Sequence, residues 1–161
     1  MSFFYNLKYR FGTCSIAEKI ILINVVFFLF PMLLNVLLFL FNIPTSSYLN
    51  WLHLSPNLWT FIRRPWSLIT YSFIHSGFFH LLWNMFLLFY AGRFLLNLFP
   101  DHIFINNYFL GVITGGLIFI SSYSLFPVFE GNYPELIGAS AGVMAVFIFI
   151  CTYTPNQEIR F

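Results

Sequence analysis

The stretch "GFFHLLWNM", residues 77–85, sets a histidine and an asparagine four residues apart in otherwise apolar sequence. An imidazole can exchange a proton near neutrality or donate a hydrogen bond, and a carboxamide can donate through its NH2 group. Four residues return a helix to nearly the same face, so His80 and Asn84 point the same way. A third polar group, Ser140, lies in "LIGASAGVMA" between small neighbours. A serine hydroxyl becomes a nucleophile when an adjacent base takes its proton. Backbone N–H groups at a helix start can stabilise a negative oxygen. Each residue also has a purely structural reading. Interhelical hydrogen bonds in membranes average about 0.6 kcal/mol, and serine is a common small packing residue there. On spacing alone both readings stand.

The elements that must position these groups follow from composition. The chain has 161 residues, 60% hydrophobic and 7% charged, with 24 phenylalanines. A soluble domain carries about 25% charged residues. No soluble core of this size hides so much apolar surface, so the chain reads as an integral membrane protein. The net charge of +2 is too small to point to nucleic acid. Cys14 and Cys151 have no CxxC partner and no neighbouring ligand histidine, so no metal site or disulfide framework is expected. The first apolar run is too long for a cleavable signal peptide, and no small-residue cleavage site follows it.

Four apolar segments are long enough for a bilayer, which takes about 20 helical residues. They run from about Ile20 to Phe41, Phe78 to Phe99, Ile103 to Phe126 and Gly138 to Thr154, the last being the shortest. The expected fold is an all-α polytopic transmembrane helix bundle, with residues 1–19 a cytoplasmic segment and 20–161 a membrane domain. The connection from Asn42 to Gly77 holds Tyr48, Trp51, Trp59, Trp66 and Tyr71, amphipathic aromatics that favour the headgroup region. It reads as a partly helical interfacial loop. Gly111/Gly115 and Gly138/Gly142 are GxxxG pairs that permit close helix packing.

Lys8, Arg10 and Lys19 precede the first span and place the N-terminus in the cytoplasm. Arg93 and Arg160 then fall inside, and Glu130 and Glu135 outside; Arg63 and Arg64 dissent. In this topology spans two and four both run from outside to inside. His80 and Ser140 sit near the starts of those spans, at similar depth in the outer half. Ser140, His80 and Asn84 can therefore meet in a pocket that water reaches from outside.

"RRPWSLITYSFIHSGFFHLLWNMFLLFYAGR", followed by "GASAG", resembles the rhomboid intramembrane serine proteases. The likeness runs from about Ile20 to Thr154. It rests on His80-x-x-x-Asn84 in the second span, a GxS motif opening the fourth, and Arg64-Pro65-Trp66 before the second span. The resemblance implies an intramembrane serine endopeptidase that works by acyl transfer. Ser140 is then the nucleophile, His80 and Asn84 the oxyanion-hole donors, and Gly138 the glycine that makes room for the substrate backbone. His75, Arg64 and Trp66 would be structural. Substrates would be membrane-anchored proteins cut near the outer ends of their transmembrane helices. No cofactor is implied, and the expected location is a bacterial inner membrane.

Three departures stand beside the match. Met144 occupies the place of an aromatic that stacks on the catalytic histidine, and Leu96 that of an acidic residue near the inner end of span two. The family's general base is a histidine on a sixth span, absent from this sequence. His102 lies past the inner end of span two, since His80 to Arg93 already descends about 20 Å. His53 has no geometry that the sequence defines, and His75 is assigned to the loop. Losing a triad base costs on the order of 10⁶ in turnover in a well-studied soluble enzyme. The expectation is a rhomboid-like domain with four of six spans, C-terminally truncated. The alternative is a catalytically inactive relative that binds client transmembrane helices; a transport component has only Arg93 in its favour. Four spans are expected to be marginally stable, with the small-residue face of the last lacking a close partner.

Overall fold

Ser15 and Glu18 start the first long helix. The Glu18 N–H donates to Ser15 Oγ at 3.3 Å, and the Ser15 N–H donates to Glu18 Oε2 at 2.7 Å. This capping box satisfies two N–H groups that the helix cannot. It starts α1 (Ile16–Leu40) four residues ahead of the apolar run that begins at Ile20. Pro31 lies inside α1 without ending it. Asn42, at φ 55°, closes the helix in a left-handed conformation that asparagine tolerates.

The computed structural model describes residues 9, 11–43, 48–131 and 134–154. Lys8, Arg10 and Arg160 lie outside the described residues. After α1 come two short helices, α2 (Leu58–Arg63) and α3 (Ser67–Thr70), with 3-10 turns at Tyr48–Trp51 and Tyr71–Phe73. Three longer helices follow: α4 (Phe78–Leu98), α5 (Asp101–Leu125) and α6 (Ser140–Tyr153). Among the described residues, the one extended pairing is an isolated antiparallel bridge between Leu54 and Leu136.

α1, α4 and α5 are long and apolar enough to cross a membrane. Their 25, 21 and 25 residues span about 31–38 Å, against a hydrocarbon core of about 30 Å. α6, with 14 residues, is about 21 Å long and falls short of that measure. Phe39, Phe79 and Leu125 are more than two-thirds exposed, which suits surrounding lipid rather than water. Phe99 is extended because it precedes Pro100, so α4 stops there and α5 restarts at Asp101.

The core sits where α6 packs against both α5 and α4. A Cβ added to Gly111 would lie 2.3 Å from the Ala145 Cβ, and one on Gly115 would lie 2.7 Å from the Ala141 Cβ. One on Gly142 would lie 2.8 Å from the Tyr108 ring. The small-residue face of α6 therefore does have a close partner, the glycine face of α5, contrary to expectation. Gly138 lies ahead of α6 rather than on it, so Gly138 and Gly142 do not form one helical face.

Gly111→Ala should force α5 and α6 apart and destabilise the bundle by about 1–3 kcal/mol. Gly12→Ala, with nothing within 4 Å of the new methyl, should not. Thermal unfolding in detergent reads the difference, and equal midpoints would refute the close-contact account.

Candidate active site

The chain enters α6 through a backbone that only glycine adopts readily. Gly138 has φ +115°. Its N–H donates to the Tyr71 carbonyl at 2.9 Å. A Cβ there would sit 2.7 Å from both Cε1 and Nε2 of His80, so the missing side chain is what lets the imidazole lie against the backbone. The next N–H, of Ala139, donates to His75 Nε2 at 3.4 Å. Ser140 follows as the first residue of α6 and is exposed. Among the described residues no hydrogen bond to its hydroxyl is present. Ala139 offers no side-chain cap, and the first N–H groups of α6 have no intrahelical partner. An oxygen bearing negative charge would find donors at this end.

His80 is the third residue of α4, and three contacts orient it. Its ring packs on Gly138, its Nδ1 lies 3.0 Å from Ser76 Oγ, and it meets the His75 ring edge-on at 5.0 Å between centroids. When the Ser76 hydroxyl donates to Nδ1, the neutral ring carries its proton on Nε2, the nitrogen facing Gly138. Asn84 is buried one turn further on, and its Nδ2 donates to the His80 carbonyl at 2.7 Å. The second amide hydrogen remains. His80, Gly138, His75 and Ala139 are thus in direct contact. Ser140 is adjacent in chain, and Asn84 is tied to the group through the backbone of its own helix.

The loop between α1 and α4 clamps the segment that leads to Ser140. Leu54 and Leu136 exchange backbone hydrogen bonds of 3.2 and 2.9 Å. His53 Nδ1 lies 2.5 Å from Glu135 Oε2. The loop is itself held by Arg64, which donates to the Asn50 carbonyl at 3.1 Å and stacks on Trp51 at 4.2 Å. Trp66 Nε1 donates to the Trp51 carbonyl at 2.9 Å, and Thr70 Oγ1 to that of Leu52 at 2.8 Å. His53, Glu135, Ser76 and the Tyr71 carbonyl were not foreseen as parts of this arrangement. Only Ser76, four residues before His80, carried a local signal; the other contacts join residues distant in sequence.

No histidine is hydrogen-bonded to Ser140 among the described residues. His53 is committed to Glu135, His75 to Ala139, and His102 is in the first turn of α5, which starts where α4 ends. Among the described residues no group of three or more His, Cys, Asp or Glu could hold a metal ion.

Burial pushes the His75 imidazole down to about 4, the neighbouring His80 adds to the shift, and the Phe73 carbonyl opposes it. His75 is therefore neutral at pH 7. An unfolded chain, with histidine near 6.5, takes up that proton first as pH falls. The stabilisation is complete above about pH 6.5 and drains away as pH drops through about 4. His75→Gln, which keeps an acceptor for the Ala139 N–H, should flatten the fall in unfolding midpoint across that window. An unchanged slope would show that His75 is not the group responsible.

The Rhomboid domain family model matches residues 62–161. No curated protein and no solved structure matches the chain. The matched region includes the His80–Asn84 pair, the Gly138–Ser140 motif and the Arg64–Trp66 segment, and it spans more than half of the sequence. The chain belongs to the rhomboid family, a family of intramembrane proteases.

Proposed function

We propose that this rhomboid domain is a serine endopeptidase that cleaves transmembrane helices of membrane-anchored proteins, with Ser140 as nucleophile. The observation that carries the reading is the seating of Gly138 under the His80 ring two residues before an exposed serine at an uncapped helix start. The Ser140 oxygen attacks the scissile carbonyl, and the carbonyl oxygen becomes an oxyanion. His80 Nε2–H, the free Asn84 amide hydrogen and the N–H groups at the start of α6 are its donors. Such donors accelerate reaction because they are already aimed at the charge that develops. Collapse of the tetrahedral intermediate expels the amine and leaves an acyl-enzyme, which water hydrolyses.

In this reading α6 counts as a fourth, short span, and the N-terminus faces the cytoplasm, which puts the site in the outer half of the membrane. The proton of the attacking hydroxyl needs an acceptor. The group that takes it would return it to the leaving amine, and no described residue is hydrogen-bonded to Ser140. That same observation favours a second reading: a domain that holds client helices without cutting them.

A mechanism-based fluorophosphonate probe on the membrane-inserted chain separates the two. The enzyme reading expects labelling that Ser140→Ala abolishes, and a loss of about 10²–10³ in turnover for His80→Ala, the magnitude of one oxyanion donor. Absence of labelling, with client helices retained equally by wild type and Ser140→Ala, supports binding and overturns catalysis.

A further inference from the structure

Far from Ser140, where α1 begins, α4 ends and α5 begins, lies a cavity of about 430 Å³. Glu18, Arg93, Asn97 and Asp101 line it, with Phe89 and Leu96 as its apolar wall. Its position along the helices fixes its depth. Arg93 is five residues from the end of α4 at Leu98, about 7.5 Å. Phe89 is nine residues from that end, about 13 Å. The cavity therefore runs from the membrane surface into the hydrocarbon edge. Phospholipid headgroups and glycerol backbones occupy that layer.

Its charges point to one headgroup chemistry. Arg93 makes no ion pair among the described residues, although two carboxylates line the same cavity. The Glu18 carboxylate is held in place because Oε2 accepts from the Ser15 N–H and lies 3.0 Å from the Ser15 hydroxyl. Asp101 opens α5. A simple anion would meet two negative groups here and one positive group. A simple cation would leave the guanidinium unpaired. A ligand that brings phosphate and ammonium together matches both: phosphate to Arg93 and the Asn97 amide, ammonium to Glu18 and Asp101. Charge-assisted hydrogen bonds of this kind need N–H donors on the cation, which a primary ammonium has and a trimethylammonium lacks.

We propose that the cavity bounded by Glu18, Arg93 and Asp101 is a binding site for one phospholipid with a primary-ammonium headgroup, in the leaflet on the N-terminal side. The site is independent of catalysis at Ser140, and its test does not use activity. The purified chain would be examined by native mass spectrometry against an equimolar mixture of three phospholipids with identical acyl chains. Their headgroups are ethanolamine, choline and glycerol. One ethanolamine lipid should be retained, favoured about tenfold over the glycerol lipid, as expected when the ammonium adds a charge-assisted hydrogen bond. Arg93→Gln should cut retention by a similar factor. Asp101→Asn and Glu18→Gln should each erode the headgroup preference, and Arg63→Gln, in the outer loop, should do neither. Soluble phosphoethanolamine at equal concentration should not displace the lipid, because it cannot use the Phe89 and Leu96 wall. Equal retention of the three lipids, preference for the glycerol headgroup, or retention unchanged in Arg93→Gln would overturn the proposal. Displacement by the soluble headgroup would overturn the assignment to lipid.

Discussion

Gly111 and Ala145 approach so closely that a single added methyl group would overlap. This contact between α5 and α6 fixes where the shortest long helix sits. α6 has too few residues to be anchored by length alone, so its depth and rotation come from its neighbours. Apolar area cannot drive helices together in lipid, because the tails are as apolar as the side chains. Close van der Waals packing across small residues does the work instead. Gly111, Gly115, Ala141, Gly142 and Ala145 supply it. Rotating α6 by one residue would replace this seam with larger side chains and turn Ser140 away from its present face. The placement of the serine is therefore a consequence of glycines one helix away.

The polar groups of the bundle follow a second rule: most are satisfied close to home. The Thr114, Ser122 and Ser124 hydroxyls reach carbonyls one turn back. Such bonds let a polar side chain enter lipid without a partner on another helix. The exceptions join segments. The Tyr71 hydroxyl, whose pKa burial raises to about 12, donates to the Val112 carbonyl at 2.7 Å. The Tyr71 carbonyl takes the Gly138 N–H. One residue thus ties the loop between α1 and α4 to α5 with its side chain and to the serine motif with its backbone. His75 extends the same logic: kept neutral by burial, it offers a lone pair to Ala139.

Much of this was legible in the residues, and the limits have physical causes. The three long helices follow from hydropathy, with α1 starting early because the Ser15–Glu18 box acts ahead of the apolar run. The shared face of His80 and Asn84 follows from helical period, and a hydrogen bond from the Asn84 amide to the His80 carbonyl joins the two residues. The GxxxG spacing showed which helices could approach, yet it misassigned Gly138. That glycine is needed for its positive φ and for room under an imidazole, and spacing does not distinguish those needs from helix packing. His53 was opaque for a different reason. Its partner Glu135 is 82 residues away and brought near by a two-bond bridge that has no sequence signature.

The face of α6 that carries Ser140 is uncovered. Ser140, Met144, Ile148 and Cys151 recur at helical spacing and are all exposed, while Gly142, Val143, Val146 and Ile150 are buried. A hydroxyl on the open face is accessible from the side, the direction from which another membrane helix arrives. Met144 lies one turn below it, in the place where the family resemblance implies an aromatic. A thioether adapts to many surfaces but offers no flat face to align a ring. The imidazole that does stand near the serine motif, His80, is already fixed by Gly138 on one side and Ser76 on the other. In the tautomer in which the Ser76 hydroxyl donates to Nδ1, its Nε2 carries the proton and faces Gly138. The chemistry is thus divided unevenly in these residues. On the proposed mechanism, the oxyanion donors His80 and Asn84 are each held by contacts within the bundle, whereas the serine stands on an open face.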